Sequence, residues 1–320
     1  MVVMTDRRDA LVVACAGIAT LDHVFRVDRL PTDDGKYSAT GYVAVGGGVA
    51  ANAAAAVARL GGSATFLGCV GDDAAGDQVL EEFADLDIAT DSVQRIANRP
   101  TPISVALVDR DGRRALVNHV AADFFERADP ALARIVDHAA AVLVDCRWPL
   151  GAIQALESAR RLGIPAVVDV DRPVDADPGT DTGRILALAT HLVYSHAGLL
   201  GTTGEVDVAA ALAVAAGRSA AWIAVTDGER GVSWREGDDI EHLPAFRVRA
   251  VDTLGAGDVF HGAFALALAE GRSEREAVRF AAAAAAAKCT MTGGRAGIPD
   301  RTMVDALLDG ANEGIERRSS

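Results

Sequence analysis

Val251-Asp252-Thr253-Leu254-Gly255-Ala256-Gly257-Asp258-Val259-Phe260-His261-Gly262-Ala263-Phe264 is the stretch on which the reading of this chain turns. It joins a Gly-Ala-Gly turn to an Asp and then to an apolar helix pattern running to about Glu270. Gly255 and Gly257 let the backbone turn tightly and approach a ligand. The first N–H groups of the helix that follows have no partner inside it, and the helix dipole adds to their pull on anionic oxygens. Asp258 then stands where a phosphoryl group would be held. A carboxylate beside a phosphate is repelled, so its presence calls for a reason. A general base that takes the proton of an attacking hydroxyl supplies one.

The composition suits a chain that buries a sizeable core. The chain has 320 residues, half of them hydrophobic and only 5% aromatic, so its core is built from Ala, Val, Leu and Ile. A formal charge of −14 argues against nucleic acid or an anionic membrane surface as partners. An anionic substrate would therefore need locally placed cations. Cys15, Cys69, Cys146 and Cys289 are far apart and show no CxxC spacing, so a structural zinc site is not expected and reduced thiols are. Met1 to Asp9 carries charges of both signs and no apolar run, so no signal peptide is expected. No apolar run reaches the ~18 residues of a membrane span. A cytoplasmic location follows as the expectation.

Outward from the opening stretch, strands and helices alternate. Leu11–Gly17 reads as a buried strand with Asp22 just beyond its end, where open α/β sheets bind ligands. Residues from about 24–45 and 100–120 alternate in short strands, the second pair around Asp109-Arg110-Asp111-Gly112. Gly46-Gly47-Gly48 precedes an Ala-rich helix, Val49 to Leu60, with Asn52 in its first turn. It lacks the Gly-Lys-Ser/Thr of a P-loop. From Ala141 onward, strands and helices succeed each other regularly, with Gly231–Arg235 expected to pair with Phe246–Arg249. This predicts one α/β domain over residues 1–320, a mostly parallel sheet covered on both faces, with a small β-sheet lid.

Asp252-Thr253-Leu254-Gly255-Ala256-Gly257-Asp258 resembles the C-terminal signature of the PfkB, or ribokinase-like, family of carbohydrate kinases. Gly46 to Asn52 is similar to that family's sugar-binding segment, and Gly71 to Gly76 to its Gly-x-Asp-x-x-Gly. The resemblance extends from Asp22 to Gly297 and implies roles for particular residues. Asp22, Gly47, Gly48 and Asn52 would hold the sugar hydroxyls. Asp258 would be the base, and the N–H groups of Gly255, Ala256 and Gly257 would hold the transferring phosphoryl. Thr226, Gly228 and Gly231 would line the ATP site, Asp252 and Thr253 support it, and Cys289 with Gly293 form the adenine-side wall. ATP and Mg²⁺ are implied as cofactors, with the metal bridging phosphates and not held by a protein cage. The lid implies a homodimer.

Finer strings point to a subgroup. Leu30-Pro31-Thr32 with Gly35-Lys36-Tyr37, Asp145 with Arg147-Trp148, Asp258-Val259-Phe260-His261-Gly262, and Lys288-Cys289 with Gly293 to Asp300 resemble bacterial 6-deoxy-6-sulfofructose kinases. The acceptor so implied is the 1-hydroxyl of an anionic ketohexose, with Arg147, Asn118 and Lys36 as anion donors. His261 is expected to play a structural or supporting role. The rivals are a kinase of fructose, ribose, a sugar phosphate or a sugar acid, a nucleoside kinase, and a non-catalytic sugar-binding relative.

Overall fold

The computed structural model describes residues 11–126, 129, 131–132 and 136–316. The readings of Met1 to Asp9 and of the tail beyond 316 lie outside the described residues. A nine-stranded sheet forms the body. In chain order its strands are β1 (Val12–Ile18), β4 (Ser63–Gly71), β5 (Val93–Ile96), β8 (Ala141–Asp145), β9 (Ala166–Val170), β10 (His191–Ser195), β11 (Trp222–Thr226), β12 (Val232–Glu236) and β13 (Asp239–Leu243). In space they run β13-β12-β11-β10-β9-β8-β1-β4-β5, parallel from β11 to β5 and antiparallel at β12 and β13. All five residues of β8 and of β9 are buried. That is why these strands read as unbroken apolar runs: helices cover both of their faces.

The helices are α1 (Val49–Arg59), α2 (Ala74–Asp85), α3 (Pro149–Leu162), α4 (Asp181–Leu188), α5 (His196–Thr203), α6 (Val208–Arg218), α7 (Ala256–Ala269), α8 (Glu274–Cys289) and α9 (Arg301–Glu316). One core joins α1, α7 and α8 to one face of the sheet, and a second joins α3 to α6 to the other. With few aromatic residues the first core closes by approach of backbones. A Cβ on Gly262 of α7 would meet the Ala53 carbonyl and the Ala56 methyl of α1. None of these helices alone is long and apolar enough to cross a membrane.

The second, smaller sheet is the one expected as the lid: β2 (Thr20–Val27), β3 (Ala39–Gly47), β6 (Ile103–Val108) and β7 (Arg114–His119), ordered β3-β2-β6-β7. Asp22 therefore lies within a lid strand, not in a turn after β1. Lys36 lies in the irregular segment between β2 and β3, exposed, and not in a strand. Phe246–Arg249 forms no strand; β12 pairs instead with Asp239–Leu243 through a turn with Gly237 at φ 63. Pro244, which has no N–H to donate, ends that strand.

Candidate active site

Helix α7 begins at a left-handed Gly255, φ 76, which turns the chain from the Asp252–Leu254 segment into the first helical turn. The Asp252 carboxylate accepts the Leu254 N–H at 3.0 Å, and the Cys289 carbonyl accepts from Val251 (2.8 Å) and Asp252 (3.3 Å). Cys289 thus braces this segment through its backbone. Within the turn the Ala256 N–H is already directed at the Thr253 carbonyl, 3.3 Å away. Among the described residues the N–H groups of Gly255, Gly257 and Asp258 have no protein acceptor. Of the expected donors Gly255, Ala256 and Gly257, the Ala256 N–H is thus engaged inside the turn, and the Asp258 N–H is free in its place.

Asp258 is fixed from α1. The Asn52 amide donates to its carboxylate at 2.7 Å. Burial, with the nearby Asp169 charge, pushes the Asp258 carboxyl up to about 8. Asn52 itself is oriented by Arg295, whose Nε donates to its side-chain oxygen at 3.2 Å. Arg295 also donates to the Gly47 carbonyl at 2.8 Å, pairs with Glu82 of α2 at 3.4 Å and stacks on Phe83. It is 4% exposed, and burial lowers its guanidinium to about 10. The three glycines now have a local cause. A Cβ on Gly46 would overlap Arg295 and Glu82, one on Gly47 the Asp22 carboxylate, and one on Gly48 the Ile18 carbonyl. Both Glu82 oxygens accept from the Gly46 N–H, at 2.8 and 2.9 Å. Neither Arg295 nor Glu82 was singled out from sequence. Part of the Asn52 amide, expected to read sugar hydroxyls, is thus committed to Asp258.

Asp22 joins the same cleft, which is lined by Asn52, Leu254, Gly255, Lys288 and Arg295. Thr20 donates to the Asp22 carboxylate at 2.6 Å, and burial pushes its pKa upward. Strand register places Val45, Asp22, Ser104 and Asn118 in one row across the lid, on the face directed at the cleft. Two strand spacings, ~10 Å, separate Asp22 from Asn118. A second row carries Arg26 and Arg114. Arg26 lies 3.8 Å from Asp252, and Arg114 donates to the Thr253 hydroxyl at 3.3 Å, so the lid touches the anion turn.

Arg147, expected as an anion donor, is already engaged by a carboxylate. Its two terminal nitrogens each donate to Asp171 at 2.6 Å. Asp145, just before it, is fully buried and accepts from the N–H groups of Ile18, Ala50 and Arg147 at 2.9, 3.2 and 2.8 Å. It anchors the start of α1 to β1.

On the expected nucleotide side, Thr226 ends β11, followed by Gly228 (φ 53) and Gly231 (φ 97). A side chain at Gly231 would overlap the Leu243 carbonyl, so that glycine also serves the packing of β13. Asp227 binds Arg230 at 2.6 Å and lies 3.2 Å from His196. Gly293 (φ 104) opens a short turn, Gly294–Gly297. Its Gly294 and Arg295 face the Asp22–Asn52 cleft and lid strand β3. Among the described residues no group of three or more His, Cys, Asp or Glu is suited to a metal ion.

Comparison with known proteins places this geometry. Residues 11–301 match the family described as pfkB family carbohydrate kinase. The ribokinase of Bacillus subtilis is 28% identical over 298 residues, covering 92% of this chain and 99% of its own. An ATP-dependent ribose-1-phosphate kinase of Halopiger xanaduensis is 31% identical over 302 residues, covering 92% and 96%. Among solved structures, a protein of Agrobacterium tumefaciens provisionally described as a ribokinase superposes with a TM-score of 0.88 at 36% identity, covering 95% and 99%. Arabidopsis thaliana ribokinase complexed with ribose and ATP gives 0.81 at 28%, covering 93% and 98%. The chain belongs to the pfkB family of carbohydrate kinases.

Proposed function

We propose that this chain transfers the γ-phosphoryl group of ATP to the 1-hydroxyl of 6-deoxy-6-sulfofructose. The observation that carries the kinase reading is the Asn52–Asp258 contact of 2.7 Å beside the free N–H groups of Gly255, Gly257 and Asp258, in one cleft with Asp22. The sugar lies between cleft and lid, with hydroxyls on Asp22, Gly47, Gly48 and Asn52. Asp258 takes the proton of the 1-hydroxyl as its oxygen bonds to the γ-phosphorus and the bond from γ-phosphorus to the bridging oxygen breaks, releasing ADP. A base raised to about 8 is well matched to that proton. The free N–H groups stabilise the transferring phosphoryl. Thr226, Gly228 and Gly231 border the nucleotide, with Asp252, Thr253, Cys289 and Gly293 on its flank. Mg²⁺ enters with ATP and offsets phosphate charge.

The anionic substituent is assigned to Asn118, Arg147 and Lys36. Asn118 supports this by sharing the Asp22 row, about one hexose length away. Arg147 must then share its charge between Asp171 and the sugar. The name of the Halopiger relative shows that a kinase this similar can act on an anionic sugar. A second reading, ribose as acceptor, is favoured by the ribokinase relatives. Outward-facing Tyr42 and Val117, 58% and 68% exposed, support a homodimer through the lid. An ATP-consuming enzyme with buried, reduced Cys15, Cys69 and Cys146 fits the cytoplasm.

The deciding experiment compares kcat/KM for sulfofructose, fructose, fructose 6-phosphate, ribose and 2-keto-3-deoxygluconate. A lead of more than about tenfold for sulfofructose, ~1.4 kcal/mol of transition-state discrimination, supports the assignment. A lead for ribose transfers it to the second reading.

A further inference from the structure

His261 lies one turn below Asp258, is 2% exposed and faces acceptors on both ring nitrogens. Nδ1 lies 2.7 Å from the Gly257 carbonyl and 3.0 Å from the Asp169 carboxylate, and Nε2 lies 3.3 Å from the Val193 carbonyl. A neutral imidazole has one N–H and one lone pair, so it would set a lone pair against an oxygen. Only the doubly protonated ring satisfies all three neighbours. Asp169, 1% exposed at the end of β9, supplies the counter-charge, and its other oxygen has no hydrogen-bond partner.

The Gly257 carbonyl belongs to the peptide whose N–H is that of Asp258, one of the free donors of the anion turn. A charged donor on a carbonyl polarises its peptide and strengthens the N–H at the other end. We propose that the His261–Asp169 pair is a positioning device for phosphoryl transfer, holding and polarising the Gly257–Asp258 peptide so that its N–H meets the transferring phosphoryl.

This rests on the reading of Asp258 as the kinase base. The ring is held charged for a physical reason: burial alone would lower its pKa, but Asp169 outweighs that and raises it to about 9. The charged groups facing Asp258 come from every element around it. They are Asp169 in β9 and Asp171 just after it, His261 on α7 itself, Lys288 on α8 and Arg295 in the following turn. Arg147 already neutralises Asp171. His261 is therefore the cation whose loss leaves Asp169 uncompensated beside the base.

The test uses His261→Gln, which keeps an N–H donor but not the charge, and the double variant Asp169→Asn/His261→Gln. With the best sugar of the panel, His261→Gln is expected to lower kcat about tenfold, the cost of weakening but not removing one oxyanion donor, with the sugar KM unchanged. The acid limb of its kcat–pH profile should move up by about one unit, the usual effect of losing a nearby cation. The double variant should return the limb toward the wild-type position, because it removes both charges. Nitrogen-15 spectra of the wild type should show one histidine still doubly protonated at pH 8, absent in His261→Gln. If that signal is missing, or both variants keep the wild-type limb while Asp258→Asn is inactive, the pair has no such role. If Asp258→Asn turns over normally, the base assignment falls and this inference falls with it.

Discussion

Asp258 is the residue on which the proposed chemistry depends, and its surroundings make it testable. Asp258→Asn keeps the shape and the contact with Asn52 but cannot accept a proton. It should lose roughly 10²–10⁴ in kcat while still binding sugar, read by ADP release and by calorimetric titration. Turnover near the wild-type rate would exclude a general-base role. Arg147 offers a second test. Its bidentate bond to Asp171 competes with any other anion for the guanidinium. Asp171→Asn should lower the KM for an anionic sugar and leave that for ATP unchanged; equal changes in both would remove Arg147 from the sugar site. Asn52 and Asp258 stood out in the sequence because each belongs to a short string with a chemical reason, whereas Asp22 stood out only by its place after a strand and by the family resemblance. The sequence did not show the contacts among them. Arg295 reaches Asn52 across 243 positions, and nothing local marks it as a cation of the cleft.

At the level of elements, the glycine run between β3 and α1 shows how a motif can be found for one reason and required for another. Sequence reading gave Gly47 to sugar approach, whereas the structure presses the Asp22 carboxylate against the place its Cβ would occupy. Gly47→Ala must displace Asp22, so the sugar KM should rise about tenfold, the worth of one misplaced hydrogen-bonding group, with ATP binding unchanged. A KM that does not move would mean Asp22 has room to shift without losing the sugar. The start of α8 is a purely structural counterpart. Ser273 accepts the Glu276 N–H, and the Glu276 carboxylate returns to the Ser273 N–H at 3.0 Å. Ser273→Ala should cost about 1 kcal/mol in denaturant unfolding and nothing in kcat. Buried parallel strands and capped helices were legible because their signals are local. Strand β13 was misplaced because Glu236-Gly237-Asp238-Asp239 reads as a loop, although its glycine makes a tight hairpin turn. Asp22 was placed outside a strand because β2 follows β1 after a single residue, so two sheets share what looks like one run.

Across the whole molecule, a cleft of buried acids facing buried bases ties stability to pH, and the sign follows from the two groups at its centre. Burial and Asp169 push the Asp258 carboxyl from an ordinary 3.8 up to about 8. The His261 imidazole, which burial alone would lower, is raised by Asp169 from 6.5 to about 9. Both folded values exceed the unfolded ones, so the folded chain keeps protons that the unfolded chain has lost. Their contribution is complete below the unfolded pKa and disappears as pH rises through the folded one. For Asp258 that window is about 4 to 8, and for His261 about 6.5 to 9. Other carboxylates act in the opposite direction: Asp227, held by Arg230, and Glu276, held by Ser273, are shifted downward. Their contribution is present above the unfolded value and is lost in acid. The ligand-free protein should therefore lose melting temperature on both sides, with the alkaline fall already under way between pH 6.5 and 9. His261→Gln should flatten that segment, and Asp258→Asn the segment from 4 to 8. Calorimetric scans of the three proteins in matched buffers decide the matter: variant curves parallel to the wild type would mean that neither group carries a proton into the folded state that the unfolded chain lacks.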